Sequence, residues 1–198
     1  MLATADVQPI TTPGLRWFGR LLTVAFVLPI VVLVFGRYVA FGRQEIGSLF
    51  RRWGRDAYGQ QRYDAAIRNY NIALLVGGND TRALYSRGLA HQKAGDDKAA
   101  VSDFNRMLQI QPDDARALVA KARSNRALNN RAEIVQDFEA AAKANPNNAA
   151  AYVGLARSRA ENSDFKGAVE SLNQALSVSP DDLSIIALRA QYRLKVDD

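Results

Sequence analysis

Apolar residues recur along most of this chain at intervals of three and four, which is the spacing of one face of an α-helix. The stretch from Thr81 to Asp114 contains two such apolar stripes, separated by Gly95-Asp96-Asp97 and ended by Pro112. Glycine and aspartate favour turns, and proline cannot continue a helix. The pattern therefore predicts two helices joined by a short turn.

The same pattern returns with a period of 34 residues, without insertion or deletion. Small or apolar residues recur at places 4, 8, 20 and 24 of each unit, and proline recurs at place 32 of three units. Residues after the fourth unit keep the helical spacing but have no second helix to pair with, which predicts a capping helix. The predicted domains are four units at 47–80, 81–114, 115–148 and 149–182, followed by a capping helix at 183–195.

Units of this length, with small residues at places 8 and 20 and a proline after the second helix, resemble the tetratricopeptide repeat. The resemblance covers residues 47–182 and implies an all-α fold, a right-handed superhelix of four helix-turn-helix units plus the capping helix. We expect the aromatic and methionine positions at the repeat spacing to be buried core. These are Tyr70, Phe104, Met107 and Phe138.

The chain before the repeats has a different composition. Residues 1–14 are polar, contain two prolines and show no helical period, which predicts a disordered tail. Leu21–Gly36 is uncharged and apolar, and as a helix it would extend about 24 Å, close to the roughly 30 Å of a bilayer core. Together with its aromatic and arginine flanks, this segment predicts a single transmembrane helix at residues 15–42, of which residues 17–41 cross the bilayer. A cleaved signal peptide and a soluble core helix are the alternatives.

The side of the membrane on which the repeats lie is indicated only by the arginines. Two of them precede the apolar segment closely and five follow it, which favours repeats in the cytoplasm. A periplasmic position has nearly equal support, because small anchored repeat proteins of bacteria often have that topology. We expect a single-pass protein of a bacterial inner membrane or an organelle membrane.

Candidate chemistry is sparse. The chain has no cysteine and one histidine, His91, which excludes disulfides and cysteine nucleophiles and leaves His91 a packing or capping role. Paired acids such as Asp96 with Asp97 recur with the repeat period, so we interpret them as helix caps. We find no phosphate-binding glycine loop. The sequence predicts no catalytic residue, no metal site, no cofactor and no small-molecule substrate, and so a protein that is not an enzyme.

The resemblance implies that the first helix of each unit lines a concave groove with its places 2, 5, 9 and 12. None of these sixteen positions holds an acid, although the chain's net charge is only +6. Guanidinium groups bind carboxylates bidentately, and tyrosines add flat contact surface, so we predict a groove for an acidic or C-terminal peptide of a protein partner. The predicted groove residues are Arg51, Arg55, Tyr58, Arg82, Tyr85, Arg116, Arg123, Arg126 and Arg157.

One subset of the family holds the acidic tails of chaperones with a clamp of lysines, asparagines and an arginine. The matching positions here are Arg51, Arg55, Ser86, Arg116 and Ala120, of which only Arg51 and Arg116 keep the charge in kind. This departure favours a looser acidic-peptide groove, in a protein that scaffolds or assembles a membrane complex. Nucleic-acid binding is the weaker alternative, because stacking groups do not recur at regular offsets.

Overall fold

The structure is a computed structural model that describes residues 42–196 together with Gly36 and Val39. The predicted polar tail lies outside these residues, and so does the predicted membrane segment apart from Gly36 and Val39. Within the described part of the chain, no helix combines the length and the hydropathy that a bilayer span needs. The chain divides into two compact units, Met1–Glu45 and Ile46–Asp198, and the repeats belong to the second.

Every regular element in the described part is an α-helix, so the all-α prediction is confirmed. Each helix packs against the next, and within the 34-residue units α3 pairs with α4, α5 with α6, and α7 with α8. The bounds are α1 (residues 42–59), α2 (Tyr63–Gly77), α3 (Thr81–Ala94), α4 (Asp97–Ile110), α5 (Ala115–Ala127), α6 (Arg131–Ala144), α7 (Ala149–Glu161), α8 (Phe165–Val178) and α9 (Leu183–Leu194).

The hydrophobic core is a row of small clusters between consecutive helices. One cluster joins Leu74 of α2, Leu84 of α3, Met107 of α4 and Ala117 of α5. The four side chains expected in the core, Tyr70, Phe104, Met107 and Phe138, are each at most 2% exposed. Because each cluster is shared between neighbours, no unit can bury its apolar face alone.

The links between units end one helix and cap the next. Asp80, Asp114 and Asp182 each accept hydrogen bonds from two backbone N–H groups at the start of the following helix. The fourth capping position, Asn148, makes no such side-chain bond. These caps satisfy amides that would otherwise lack partners at a helix start. They place two carboxylates beside first helices, α3 and α5, and the third beside the last helix, α9.

First helices also contact one another. Besides its neighbours in sequence, α5 contacts both α3 and α7. The three helices therefore form one layer, and side chains at equivalent places of successive units lie side by side along it.

Candidate functional site

Five of the predicted groove residues line one cavity. Arg51 and Arg55 of α1, Arg82 and Tyr85 of α3, and Arg116 of α5 surround a volume of about 360 Å³. Residues from three first helices thus converge, as the layer of first helices requires. The remaining lining residues of this first cavity are Ser48, Arg52, Thr81, Ser86 and Met107.

Two of the five arginines in the first cavity are paired with capping aspartates. Arg51 forms an ion pair with Asp80. Arg116 forms one with Asp114, with Nη2 of the arginine 2.8 Å from Oδ2 of the carboxylate. The pKa of Asp114 lies below its ordinary 3.8: burial by itself raises it, but hydrogen bonds from Arg116 and from the Ala117 amide outweigh that effect. Asp114 is therefore ionised at neutral pH, and the two ion pairs neutralise part of the charge of the cavity.

The other three arginines of the first cavity are uncompensated. Arg52, Arg55 and Arg82 are exposed, and the guanidinium group of none of them forms a hydrogen bond or ion pair with a residue that the structure describes. Three guanidinium groups therefore remain available to an anionic ligand. Bonds to charged groups contribute about 1.5–3 kcal/mol each when they are desolvated.

Tyr85 supplies the flat surface of the first cavity. Its ring lies 5.9 Å from the ring of Phe104, and the guanidinium of Arg116 lies 5.6 Å above it. Burial raises the pKa of the Tyr85 phenol, while the nearby Arg116 opposes that rise. The phenol is thus neutral at physiological pH, and its orientation is fixed by packing on both sides.

Three further predicted residues line a second cavity near the other end of the layer. Arg123, Arg126 and Arg157 border a volume of about 280 Å³. Arg123 and Arg157 are exposed, and their guanidinium groups form no hydrogen bond or ion pair within residues 42–196. The remaining lining is more apolar than that of the first cavity and includes one capping carboxylate: Phe138, Ala149, Ala150, Val153, Gly154, Asp182, Ser184 and Ile185.

Arg126 lines the second cavity and also binds residues of the next unit. Its Nη2 donates to Ser158 Oγ at 2.8 Å and to the Gly154 carbonyl at 3.2 Å, both in the next unit. Its Nε lies 3.3 Å from Glu161 Oε1, in an ion pair without hydrogen-bond geometry. The guanidinium also lies 5.6 Å above the Phe138 ring. Arg126 therefore joins two units, and little of its charge is free for a ligand.

In the second unit, too, the side chain at place 12 binds residues of the next unit. Gln92 donates to the Ala120 carbonyl at 2.8 Å and to Ser124 Oγ at 2.7 Å. In the first unit, Tyr58 packs edge-to-face on Tyr63, with ring centroids 5.5 Å apart, and lines neither cavity. Gln92 and Arg126 at place 12 therefore reach the following first helix, while Tyr58 packs on α2. That place 12 faces a peptide groove stays a prediction.

Sequence reasoning missed the acids of the site. Asp80 and Asp114 stand at place 34, outside the four places considered, yet they reach the arginines of the first cavity. The signal was present, since aspartate ends three of the four units and arginine follows two residues later in two of them. Arg52 and Ser86, at place 6, were also missed as lining residues.

The residues considered for chemistry have structural roles. The Asp96 carboxylate caps α4 by accepting from the Ala99 amide at 3.0 Å, and His91 lies half-buried with Nδ1 3.8 Å from that carboxylate. No group of three histidines, aspartates or glutamates within the described residues is placed to hold a metal ion. The arrangement is suited to binding an anionic surface or chain.

Two family models described as tetratricopeptide repeat match the chain, one over residues 57–125 and the other over residues 126–192. Together they extend without a gap from the end of α1 into α9. A comparison with curated proteins finds no significant match.

Solved structures of similar fold belong to several proteins. MamA from Desulfovibrio magneticus RS-1 is 21% identical with a TM-score of 0.70, and the match covers 77% of this chain and 86% of that one. YrrB, described as having an unusual peptide-binding site, is 19% identical with a TM-score of 0.65, over 73% of this chain and 74% of that one. The first repeat domain of Spaghetti (RPAP3), bound to the HSP90 peptide SRMEEVD, is 20% identical with a TM-score of 0.59, over 61% and 95%.

Proposed function

Since the chain belongs to the tetratricopeptide-repeat family, as the adjoining matches over residues 57–192 show, we propose that it is a membrane-anchored module for protein–protein interaction. Its partner presents an acidic or C-terminal peptide, which binds along the layer of first helices. The apolar segment 17–41 is the anchor, and the arginines that follow it favour repeats in the cytoplasm. The role we infer is scaffolding or assembly of a membrane protein complex.

The observation that carries this proposal is the uncompensated charge of the first cavity. Arg52, Arg55 and Arg82 line one small volume without an ion pair to any described residue. Like charges around one cavity repel one another, and a bound carboxylate would relieve that repulsion. Arginine also matches the planar geometry of a carboxylate better than lysine does.

A peptide fits the two cavities better than a compact anion does. The first cavity lies on α1, α3 and α5, and the second lies on α5, α6, α7 and α9, so both border the same layer. An extended chain laid along that layer could place acids at the two charged ends and apolar side chains against Val153 and Ile185. Spaghetti (RPAP3), a structure of similar fold, binds a peptide that contains three acids among its last five residues.

The proposal is tested by purifying the full chain from membranes in mild detergent and identifying what co-elutes by mass spectrometry. The groove variant is Arg82→Glu with Arg123→Glu, one substitution in each cavity. Neither arginine has an ion pair among the described residues, so the change leaves no aspartate of the site without its partner. We expect the partner to be lost from the variant, because reversing two charges lowers the affinity for an acidic peptide by at least about tenfold.

The matched control is Arg68→Glu with Arg106→Glu. Both residues are exposed, lie on second helices outside the two cavities and give the same change in net charge. The control should retain the partner. If the groove variant keeps the partner, the hypothesis that the partner binds in the groove is rejected. If the complex disappears on nuclease treatment, nucleic-acid binding is favoured instead.

A further inference from the structure

The first unit differs from the others at two places of its first helix. Place 3 holds Leu49, which is 39% exposed, whereas Ala83, Ala117 and Ala151 hold this place in the later units and are fully buried. Place 7 holds Trp53, which is 47% exposed. The first unit therefore exposes large apolar side chains at places that are covered in the rest of the array.

Contacts in the later units show what normally covers these places. Arg87, at place 7 of the second unit, binds Asp103 of α4 and also reaches back to Asn71 of α2, with Nη1 2.6 Å from Oδ1. Ala83 and Ala117, at place 3, belong to the cluster that includes Leu74 of α2 and Met107 of α4. The second helix of the preceding unit thus packs on places 3 and 7. At the corresponding face of α1, Leu49 and Trp53 are exposed instead.

The open face of α1 consists of Ile46, Leu49 and Trp53, at helical spacings of three and four. All three are exposed. The Trp53 ring is held edge-on by Phe50, with centroids 5.0 Å apart. Its indole N–H has no hydrogen-bond partner among the described residues. A tryptophan with an apolar body and a free N–H is suited to the boundary between lipid headgroups and acyl chains.

We propose that the open face of α1 lies in the interfacial layer of the bilayer, so that the first unit contacts lipid directly. This inference depends on the anchor in the function proposed above. Only four residues, 42–45, separate the predicted membrane segment from Ile46, and even fully extended they reach about 14 Å. The open face is therefore kept close to the membrane surface, and amphipathic helices bury such a face about 5–10 Å deep.

A protein partner fits this face less well than lipid does. Three side chains offer a few hundred Å² at most, whereas a stable protein interface buries about 1,200–2,000 Å² in total. One base and one acid, Arg52 and Asp56, are both exposed beside the open face. Neither area nor charge therefore selects a second copy or a soluble partner.

The test uses tryptophan fluorescence of the full chain in phosphatidylcholine vesicles. The chain has two tryptophans, so Trp17→Phe leaves Trp53 as the only one. Vesicles are first floated on a density gradient to show that the protein is bound. We then expect about two-fold or greater quenching of Trp53 by lipids brominated near the headgroup, because the quencher lies at the depth of an interfacial helix.

The matched control moves the single tryptophan to the last helix, as Trp17→Phe, Trp53→Phe and Leu183→Trp. Leu183 is 78% exposed on α9, and the fluorescence of a tryptophan at this position should not be quenched by the brominated lipids. If the protein floats but the brominated lipids do not quench Trp53, the lipid contact is overturned and the anchor is not. Quenching by iodide would then show that the indole is exposed to water. Blue-shifted emission would show that it is covered by protein. Protein that does not float would overturn the anchor, and the lipid contact with it, without affecting the groove.

Discussion

At the scale of single residues, one backbone conformation recurs with the repeat. Place 15 of every unit has a positive φ: 59° at Gln61, 82° at Gly95, 61° at Asn129 and 64° at Ser163. This left-handed conformation closes the turn between the paired helices, and it costs a residue with a Cβ about 1–2 kcal/mol relative to the right-handed one. One of the four units uses glycine there and one uses asparagine, which tolerates this conformation, so the two remaining turns contain residues poorly suited to it, Gln61 and Ser163.

Substituting glycine at these turns should stabilise the protein. We expect Gln61→Gly or Ser163→Gly to raise the free energy of unfolding by about 0.5–1 kcal/mol, because relief of the left-handed strain exceeds glycine's greater loss of backbone freedom. Urea denaturation followed by circular dichroism measures the change.

The reverse substitution provides the control for that prediction. Gly95→Ala should lower the free energy of unfolding by about 1 kcal/mol. A Cβ at Gly95 would meet no atom within 4 Å, so the loss would come from the backbone conformation alone. Unchanged stability in all three variants would show that place 15 is not strained.

At the scale of helices, close approach within a unit depends on a missing side chain. A Cβ at Gly88 would lie 2.6 Å from Phe104 Cε1, and one at Gly54 would lie 2.6 Å from Tyr70 Cε1. Both glycines occupy place 8, where the sequence predicted that a small residue allows the helices to approach. Gly154 also faces an aromatic ring, that of Phe138, but at place 6 of the last unit, where no repeat pattern marked it.

The contact between Gly88 and Phe104 predicts a specific loss. Gly88→Ala should lower the free energy of unfolding by about 1–3 kcal/mol, because Phe104 is fully buried and cannot move aside without disturbing its neighbours. Thermal or urea unfolding of the variant would measure it.

Gly59→Ala provides the contrast for Gly88→Ala. Gly59 ends α1 in open space, so alanine there should stabilise the helix by up to about 1 kcal/mol. Equal effects of the two substitutions would contradict the packing argument. α1 continues through Gly59, and the left-handed residue of the turn that follows is Gln61.

The sequence predicted helices more successfully than side-chain partners, for a physical reason. Helix positions follow from apolar residues that repeat in every unit, such as Phe104 and Phe138. The ion pair between Arg51 and Asp80 joins residues 29 positions apart, and the carboxylate is also a helix cap. The contact of Arg126 with the next unit was not predicted, because one of its acceptors is a backbone carbonyl, which any sequence supplies and no pattern reveals.

At the scale of the whole molecule, the net charge of +6 conceals an organised distribution. Capping aspartates neutralise Arg51 and Arg116, and Arg126 is engaged between units. In our proposal, the layer of first helices therefore binds an acidic peptide through fewer arginines than the sequence predicted. These uncompensated arginines are Arg52, Arg55, Arg82, Arg123 and Arg157.

The most direct test of the acidic-peptide groove is a selection of random peptides with free C-termini on the purified full chain in detergent. The uncompensated arginines predict that the selected peptides are rich in aspartate and glutamate, and that their affinity falls as the salt concentration rises. The variant Arg82→Glu with Arg123→Glu should not select them. Selection of neutral or basic peptides, or of the same acidic peptides by that variant, would contradict the groove.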